Sequence, residues 1–423
     1  MERHRGYVVA LCMVIAACAA PPEIQRQRTP TAGRLEFLPP ADEVRTAQFY
    51  AGQETALPIL QQGGPPLTLE FDLLGHAARP LSVYFFHANR EWQRDLSRSE
   101  YLSGFHRDDL FDYELSASTQ VSYTHYTYVF PNSSIGFQLS GNYILRVTEQ
   151  GSEDSVLFER PFYVAENIGP LSFDLQSLLT GQQAMPTIQP LLRFMPPHEL
   201  GGNLFDYSVC FLRNGDYSTP RCSQRPNLSV QPDLLFYLEP EEAFRPQEGN
   251  YYMDLRRLYP GGQIERISRV TSPFEVVLQP DYARFASSSA EPLLSGQSVI
   301  SGADARAGDP DTWGEYVQVH FRYVPPDEAR LPGGLYIVGS FNGWMVDLGR
   351  QLRWVADKKY YEGSLLIKQG QHEYRYTSPD PVVRQALRTR MPRLDNQYTA
   401  LVYYRDIRYG TDRLLAYQHL FSR

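Results

Sequence analysis

Between Val317 and Tyr323 every second residue is apolar: Val317, Val319, Phe321 and Tyr323 alternate with Gln318, His320 and Arg322. A side-chain period of two puts one face of an extended chain in a core and the other in water, and a helix of period 3.6 does not accommodate it. Leu67, Leu69 and Phe71 repeat the pattern. Tyr84-Phe85-Phe86 and Leu401-Val402-Tyr403-Tyr404 are fuller apolar runs, as expected of central strands. Helical periodicity is not evident; Glu91 to Asp112, with Trp92, Leu96, Leu102, Phe105 and Leu110, reads as a short helix or a long ordered loop. The 29 Tyr and 22 Phe suit half-buried pleated surfaces, and 32 Pro and 30 Gly supply turns. The expected class is all-β.

The amino terminus constrains location. Arg3 and Arg5 precede an apolar stretch from Gly6 to Ala17, too short to span a bilayer comfortably, which ends Val14-Ile15-Ala16-Ala17-Cys18. Small residues before a cysteine resemble a lipobox, so residues 1–17 are expected to be a lipoprotein signal peptide and Cys18 the lipidated first residue of the mature chain. The other reading is an ordinary signal peptide with a chance cysteine. Acyl chains would anchor the protein stably. Ala19 in place of Asp favours the outer membrane. Residues 18–43, with Pro21, Pro22, Pro30, Pro39 and Pro40, read as a flexible tether. Export to an oxidising compartment makes Cys210 and Cys222, which flank an Asn214-Gly215-Asp216 turn, a candidate disulfide; the other reading is two buried thiols.

The 423 residues exceed one ordinary domain. Gly-turn strands with an early Tyr recur at Ser140-Gly141-Asn142-Tyr143, Glu248-Gly249-Asn250-Tyr251 and, more loosely, Gln369-Gly370 to Tyr374, which is common in late hairpins of Ig-like sandwiches. The expectation is three tandem Ig-like/E-set β-sandwich domains: residues 44–165, 166–278 and 312–423, with 279–311 a linker or long loop.

The net charge of -8 without a basic patch argues against nucleic acid. The only lysines are Lys358, Lys359 and Lys368, read as compositional bias without functional weight. The histidines show no metal-ligand spacing, and His125 reads as a structural strand histidine. No nucleophile elbow or phosphate-cradling loop occurs. No catalytic residues, metal, cofactor or small-molecule substrate are therefore expected. Two surfaces are candidates for binding. Trp92, Tyr101, Phe105 and Tyr113 belong to an aromatic set suited to a partner interface. Val338-Gly339-Ser340-Phe341-Asn342-Gly343-Trp344, followed by Trp354, resembles the start of the glycogen- and starch-binding β-sandwich module, in which Trp344 and Trp354 would stack on sugar rings.

A longer series of motifs carries a second resemblance. Thr46-Ala47-Gln48-Phe49-Tyr50, Leu69-Glu70-Phe71-Asp72-Leu73, Phe86-His87-Ala88-Asn89-Arg90-Glu91-Trp92, Ser99-Glu100-Tyr101-Leu102-Ser103-Gly104-Phe105, Tyr123-Thr124-His125-Tyr126 and Leu139-Ser140-Gly141-Asn142-Tyr143 occur in that order. Leu366-Ile367-Lys368-Gln369-Gly370, Asp395-Asn396-Gln397-Tyr398 and Leu401-Val402-Tyr403-Tyr404-Arg405 close the chain. The series resembles the type IX secretion system plug protein family; Ala88 stands where that family usually has a cysteine. The resemblance implies a non-enzymatic protein. Its partner would be a giant, SprA-type outer-membrane translocon barrel, blocked from the periplasmic side when no shuttle partner is bound. The competing reading is an outer-membrane carbohydrate-binding lipoprotein.

Overall fold

The structure, a computed structural model, describes residues 37, 40–180, 185–200, 203–228, 232–245, 250–282, 293–302, 309–387 and 396–422. Cys18 and the expected signal peptide lie outside them. The described residues all belong to one compact unit, Leu35–Arg423. The fold is all-β, and its sheets pair into three sandwiches.

The first sandwich packs the sheet Val44–Ala51, Leu67–Leu74, Tyr123–Phe130, Tyr113–Leu115 against the sheet Ile59–Gln61, Val156–Ala165, Gly141–Glu149, Leu81–Ala88, Arg107–Leu110, each in that spatial order. Leu67, Leu69, Phe71 and Leu73 point into the core, as their alternation predicts, and meet Phe85, Phe130, Phe158 and Phe162 from both sheets. Phe71 lies 5.0 Å edge-on to Phe158, and Phe85 4.9 Å from Phe130. Edge-to-face and tilted rings each add about 0.5–1.5 kcal/mol to their area burial. The tether expected over residues 18–43 is already docked near its end. Phe37 packs edge-on to Trp92, and the Ala41 amide donates to Leu157 O at 2.8 Å.

The other two sandwiches are nested rather than tandem, which corrects the boundaries expected at 278 and 312. The middle sandwich joins the sheet Leu171–Thr180, Met185–Phe194, Leu234–Tyr237 to the sheet Arg221–Ser223, Tyr207–Arg213, Gln397–Asp406, Thr411–Phe421. Its last two strands come from the chain terminus. The third sandwich is built from the intervening residues. Tyr251–Asp254, Gly370–Thr377 and Ser298–Ile300 form one sheet, with Tyr336–Gly339 also pairing Gly370–Thr377. The other contains Ile264–Ser268, Glu275–Leu278, Tyr316–Val324, Tyr360–Lys368 and Arg353–Val355. The expected linker contributes the strand Ser298–Ile300, and its Leu294 and Gly296 amides donate to the Glu373 carboxylate. The second and third Gly-turn repeats therefore lie side by side, with Tyr251 opposite Tyr374, instead of marking separate domains. Strand periodicity identifies a buried face but not which sheet it joins, so an insertion leaves no local trace.

The terminal hairpin also fastens the first sandwich. Tyr398, Ala400, Val402 and Tyr404 enter the middle core, while Leu401, Tyr403 and Leu414 pack with Ile59, Tyr163 and Ala165. This explains the unbroken apolar run at 401–404. Around it, Arg413 makes a two-pronged ion pair with Glu166 at 2.7 and 2.8 Å, and the Tyr403 hydroxyl donates to Asn142 Oδ1 at 2.7 Å. Cys210 and Cys222, opposite each other on adjacent strands, form a disulfide behind this hairpin. Serine at both positions is expected to lower stability by about 3 kcal/mol, read from the denaturation midpoint, because a closed loop of this size constrains the unfolded chain by that much.

The first and third sandwiches meet through buried polar groups. Asp72 and Lys368, both fully buried, pair at 2.7 Å. His125 Nδ1 donates to Asp72 Oδ1 at 2.8 Å, and the Tyr316 hydroxyl donates to Oδ2 at 2.6 Å. Burial alone would raise the Asp72 carboxyl, but the Lys368 ammonium and His125 outweigh it and hold it below the usual aspartate range. Beside this pair, His372 is fully buried between Ser298 Oγ and Lys368 O. Burial pulls its pKa down to about 4. The unfolded chain then takes up this proton near pH 6.5 and the folded chain only near 4, so stability is lost as pH falls through that window, by about 3 kcal/mol. Denaturation of wild type and His372→Gln at pH 7 and pH 4.5, which spans most of that window, should show the wild type losing about 2 kcal/mol more. Equal losses would refute it.

Candidate partner-docking surface

Leu81–Ala88 ends at a tight turn in which the Trp92 amide donates to Asn89 O at 2.8 Å. Trp92 sits there with a φ of 64° and is half-buried, its ring 5.6 Å from Phe37 and 5.4 Å from Tyr163. A single helical turn, Arg98–Tyr101, follows. The Ser97 amide donates to the Glu100 carboxylate at 2.8 Å, the reach-back expected of Glu three residues after a capping serine. This turn drives Tyr101 inward, where it is 1% exposed and its hydroxyl donates to Phe85 O at 2.9 Å. Tyr101 is thus a core residue, which corrects its place among the partner-binding candidates.

Beyond it the chain crosses the open edge of the sandwich. Leu102–Gly104 pairs Ile135–Phe137, Arg107–Leu110 borders one sheet, and Tyr113–Leu115 borders the other. Gly104 has φ +91°, and a Cβ there would lie 2.3 Å from Ser134 O, so only glycine passes this point. Phe105 is 67% exposed and Phe111 79%, and Tyr113 and Leu115 are exposed as well. Between residues 105 and 115, Leu110 alone turns into the core. The strand Tyr113–Leu115 is exposed at all three residues and lies at the end of its sheet, leaving its outer edge open to another chain. The Ala117 amide then donates to Thr312 O at 2.9 Å, which brings exposed Trp313 of the third sandwich beside the same segment.

Phe105 and Tyr113 were legible as aromatic surface candidates. Phe111, Leu115 and Trp313 join them at the surface. The signal for the first two was their alternation with Asp112 and Glu114 about a strand, Tyr113–Leu115, too short to bury either. For Trp313 it was Asp309-Pro310, a capping pair that starts the short helix Pro310–Trp313.

Trp344 and Trp354 are both half-buried and make separate contacts. The Trp344 indole donates to Gly296 O at 2.7 Å beneath the Arg375 guanidinium, and Trp354 packs 4.9 Å from Tyr361. The fold also gathers Glu70, His125 and Asp311 so that one ligand atom of each lies within 4.8 Å of the others, a grouping that no local spacing announces. A cleft of about 460 Å³ between the middle and third sandwiches is lined by Arg213, Arg221, Arg375 and Arg384. Asp216 is its one acid among the described residues, and no histidine lines it, so it lacks a converging acid–base pair.

Residues 44–166 match the family model described as type 9 secretion system plug protein 1st domain. The first sandwich belongs to that family. The exposed edge at 105–115 is therefore a feature of the plug domain itself, and the chain is tied to type IX secretion and so to the cell envelope. The arrangement of three sandwiches recurs in the crystal structure of a hypothetical protein from Parabacteroides merdae ATCC 43184. The TM-score is 0.81 at 23% identity, covering 92% of this chain and 100% of that one. At that identity the likeness is one of fold. No curated protein is matched.

Proposed function

We propose that this protein is a non-enzymatic plug of the type IX translocon. It closes the periplasmic end of the giant outer-membrane barrel while no shuttle partner is engaged, and is held beside it by a lipid on Cys18. The observation that carries the reading is the combination of the plug domain with an exposed apolar edge, mounted on a body whose joints are buried. A wide aqueous pore leaks unless its closure holds its shape. Hinged sandwiches would deform, whereas here the terminal hairpin and the Asp72–Lys368 pair clamp the plug domain to both others. The edge Phe105–Leu115, extended by Trp313, supplies apolar and strand-edge contact for the barrel wall. A membrane anchor raises the local concentration of such a plug without adding any contact.

The test is affinity purification of the tagged lipoprotein from detergent-solubilised outer membrane. Recovery of a very large barrel protein is expected. Its absence, with the tagged protein intact and lipidated, would sink the reading.

A further inference from the structure

Arg160 occupies a position on the strand Val156–Ala165 whose same-side neighbours, Phe158, Phe162 and Val164, build the plug-domain core. It is 5% exposed. Its guanidinium reaches the point where all three sandwiches meet. There it lies so close over Gly343 that a Cβ would sit 2.8 Å from Cζ. Nη1 donates to Glu159 O at 3.2 Å, and the Phe158 ring lies 5.4 Å away.

Among the described residues no carboxylate pairs with it. The Glu159 side chain is held by Arg94 and Arg146. Asp216, the neighbour of Tyr217 in the chain, is taken by Arg375 at 3.0 Å. Burial lowers the Arg160 pKa, and only the Tyr217 hydroxyl opposes that. A buried cation left without a counter-charge is costly, by several kcal/mol for a single ion. Beside this one the fold leaves a cavity of about 60 Å³, lined by Arg160, Leu57, Tyr163, Tyr217, Gln297 and Trp344 among others. A single water needs only about 10–15 Å³ on the same measure.

We propose that this cavity is a binding site for one small monoanion, of halide or carboxylate size, paired with Arg160. Arginine carries five donors in a fixed fork and one is spent on Glu159 O, so the fork remains open to an acceptor. The neighbouring donors are engaged elsewhere: the Trp344 indole with Gly296 O, and the Tyr217 hydroxyl with Gly343 O at 3.0 Å. A neutral guest gains little there and a cation is repelled. One unpaired positive charge selects a single negative one. The bound anion completes the junction of the three sandwiches, and it stabilises the assembled body by mass action.

The test is thermal unfolding of the mature protein at fixed pH and ionic strength, with gluconate, too large for the cavity, replaced stepwise by chloride or by acetate. A saturable rise of about 2–4 °C is expected in at least one series. The two series distinguish halide from carboxylate. In Arg160→Met the rise should vanish. No rise in the wild type, or an equal rise in the variant, overturns the proposal. Should the variant not fold, crystals grown in bromide decide. An anomalous peak within hydrogen-bond reach of Arg160 supports the site, and an empty cavity refutes it.

Discussion

Lys368→Met is expected to cost about 3–5 kcal/mol of unfolding free energy, with most of the loss appearing above neutral pH. Removing one partner of a buried ion pair strands the other charge, and Asp72 has no route to water. What remains beside Asp72 is the Tyr316 hydroxyl and His125. Burial works against a charged His125, but the hydrogen bond and charge of Asp72 outweigh it, so its pKa stands above the ordinary value; Lys368 opposes that rise. Without Lys368 the rise is larger. A histidine whose folded pKa is raised contributes stability that is fully present below its unfolded pKa, near 6.5, and lost as pH rises through the folded value. The variant should therefore approach wild type at pH 6 and fall away by pH 8.5, in chemical denaturation read at both. Asp72→Asn combined with Lys368→Met should recover most of the loss, since the stranded charge is gone. A penalty that is the same at both pH values would show that His125 does not take over the charge.

This joint also marks where sequence reading stops. The alternation at Leu67–Leu73 correctly identifies the core face, and its other face, Thr68, Glu70 and Asp72, reads as wet. Asp72 is instead fully buried, because a second sandwich covers that face with polar partners of its own. Its lysine lies 296 residues away, a distance at which no periodicity speaks. Lys368 is one of three lysines in the chain, and composition gave no hint that this one is structural. Tyr123 and Tyr126 behave alike. They fall on opposite faces of one strand, as spacing predicts, yet both are buried, Tyr126 in the plug-domain core and Tyr123 against Gly314 of the third sandwich. The first strand of the terminal hairpin was legible from its apolar run at 401–404, but its place in the middle sandwich was not, since pairing with Tyr207–Arg213 is decided by topology.

Phe111→Glu combined with Leu115→Glu is expected to reduce recovery of the barrel partner at least about 30-fold while leaving the fold intact. Apolar anchors at the centre of an interface each contribute about 2 kcal/mol or more when removed, which is close to that factor for one residue alone. A carboxylate adds a desolvation cost wherever the native side chain met an apolar wall. Neither residue contributes to the core of the free protein, because both side chains are exposed, so the melting temperature should move by no more than about 1 °C. The edge already carries Asp112 and Glu114, so two further acids also repel any acidic partner. Leu179→Glu provides the control: Leu179 is 72% exposed on the middle sandwich, which contributes no residue to this edge, and its substitution should leave recovery unchanged. Loss with the double variant and retention with the control would assign the contact to the plug-domain edge. Full recovery with the double variant would move the contact off this edge, while the plug reading itself would still stand or fall on whether the wild-type protein brings the barrel down.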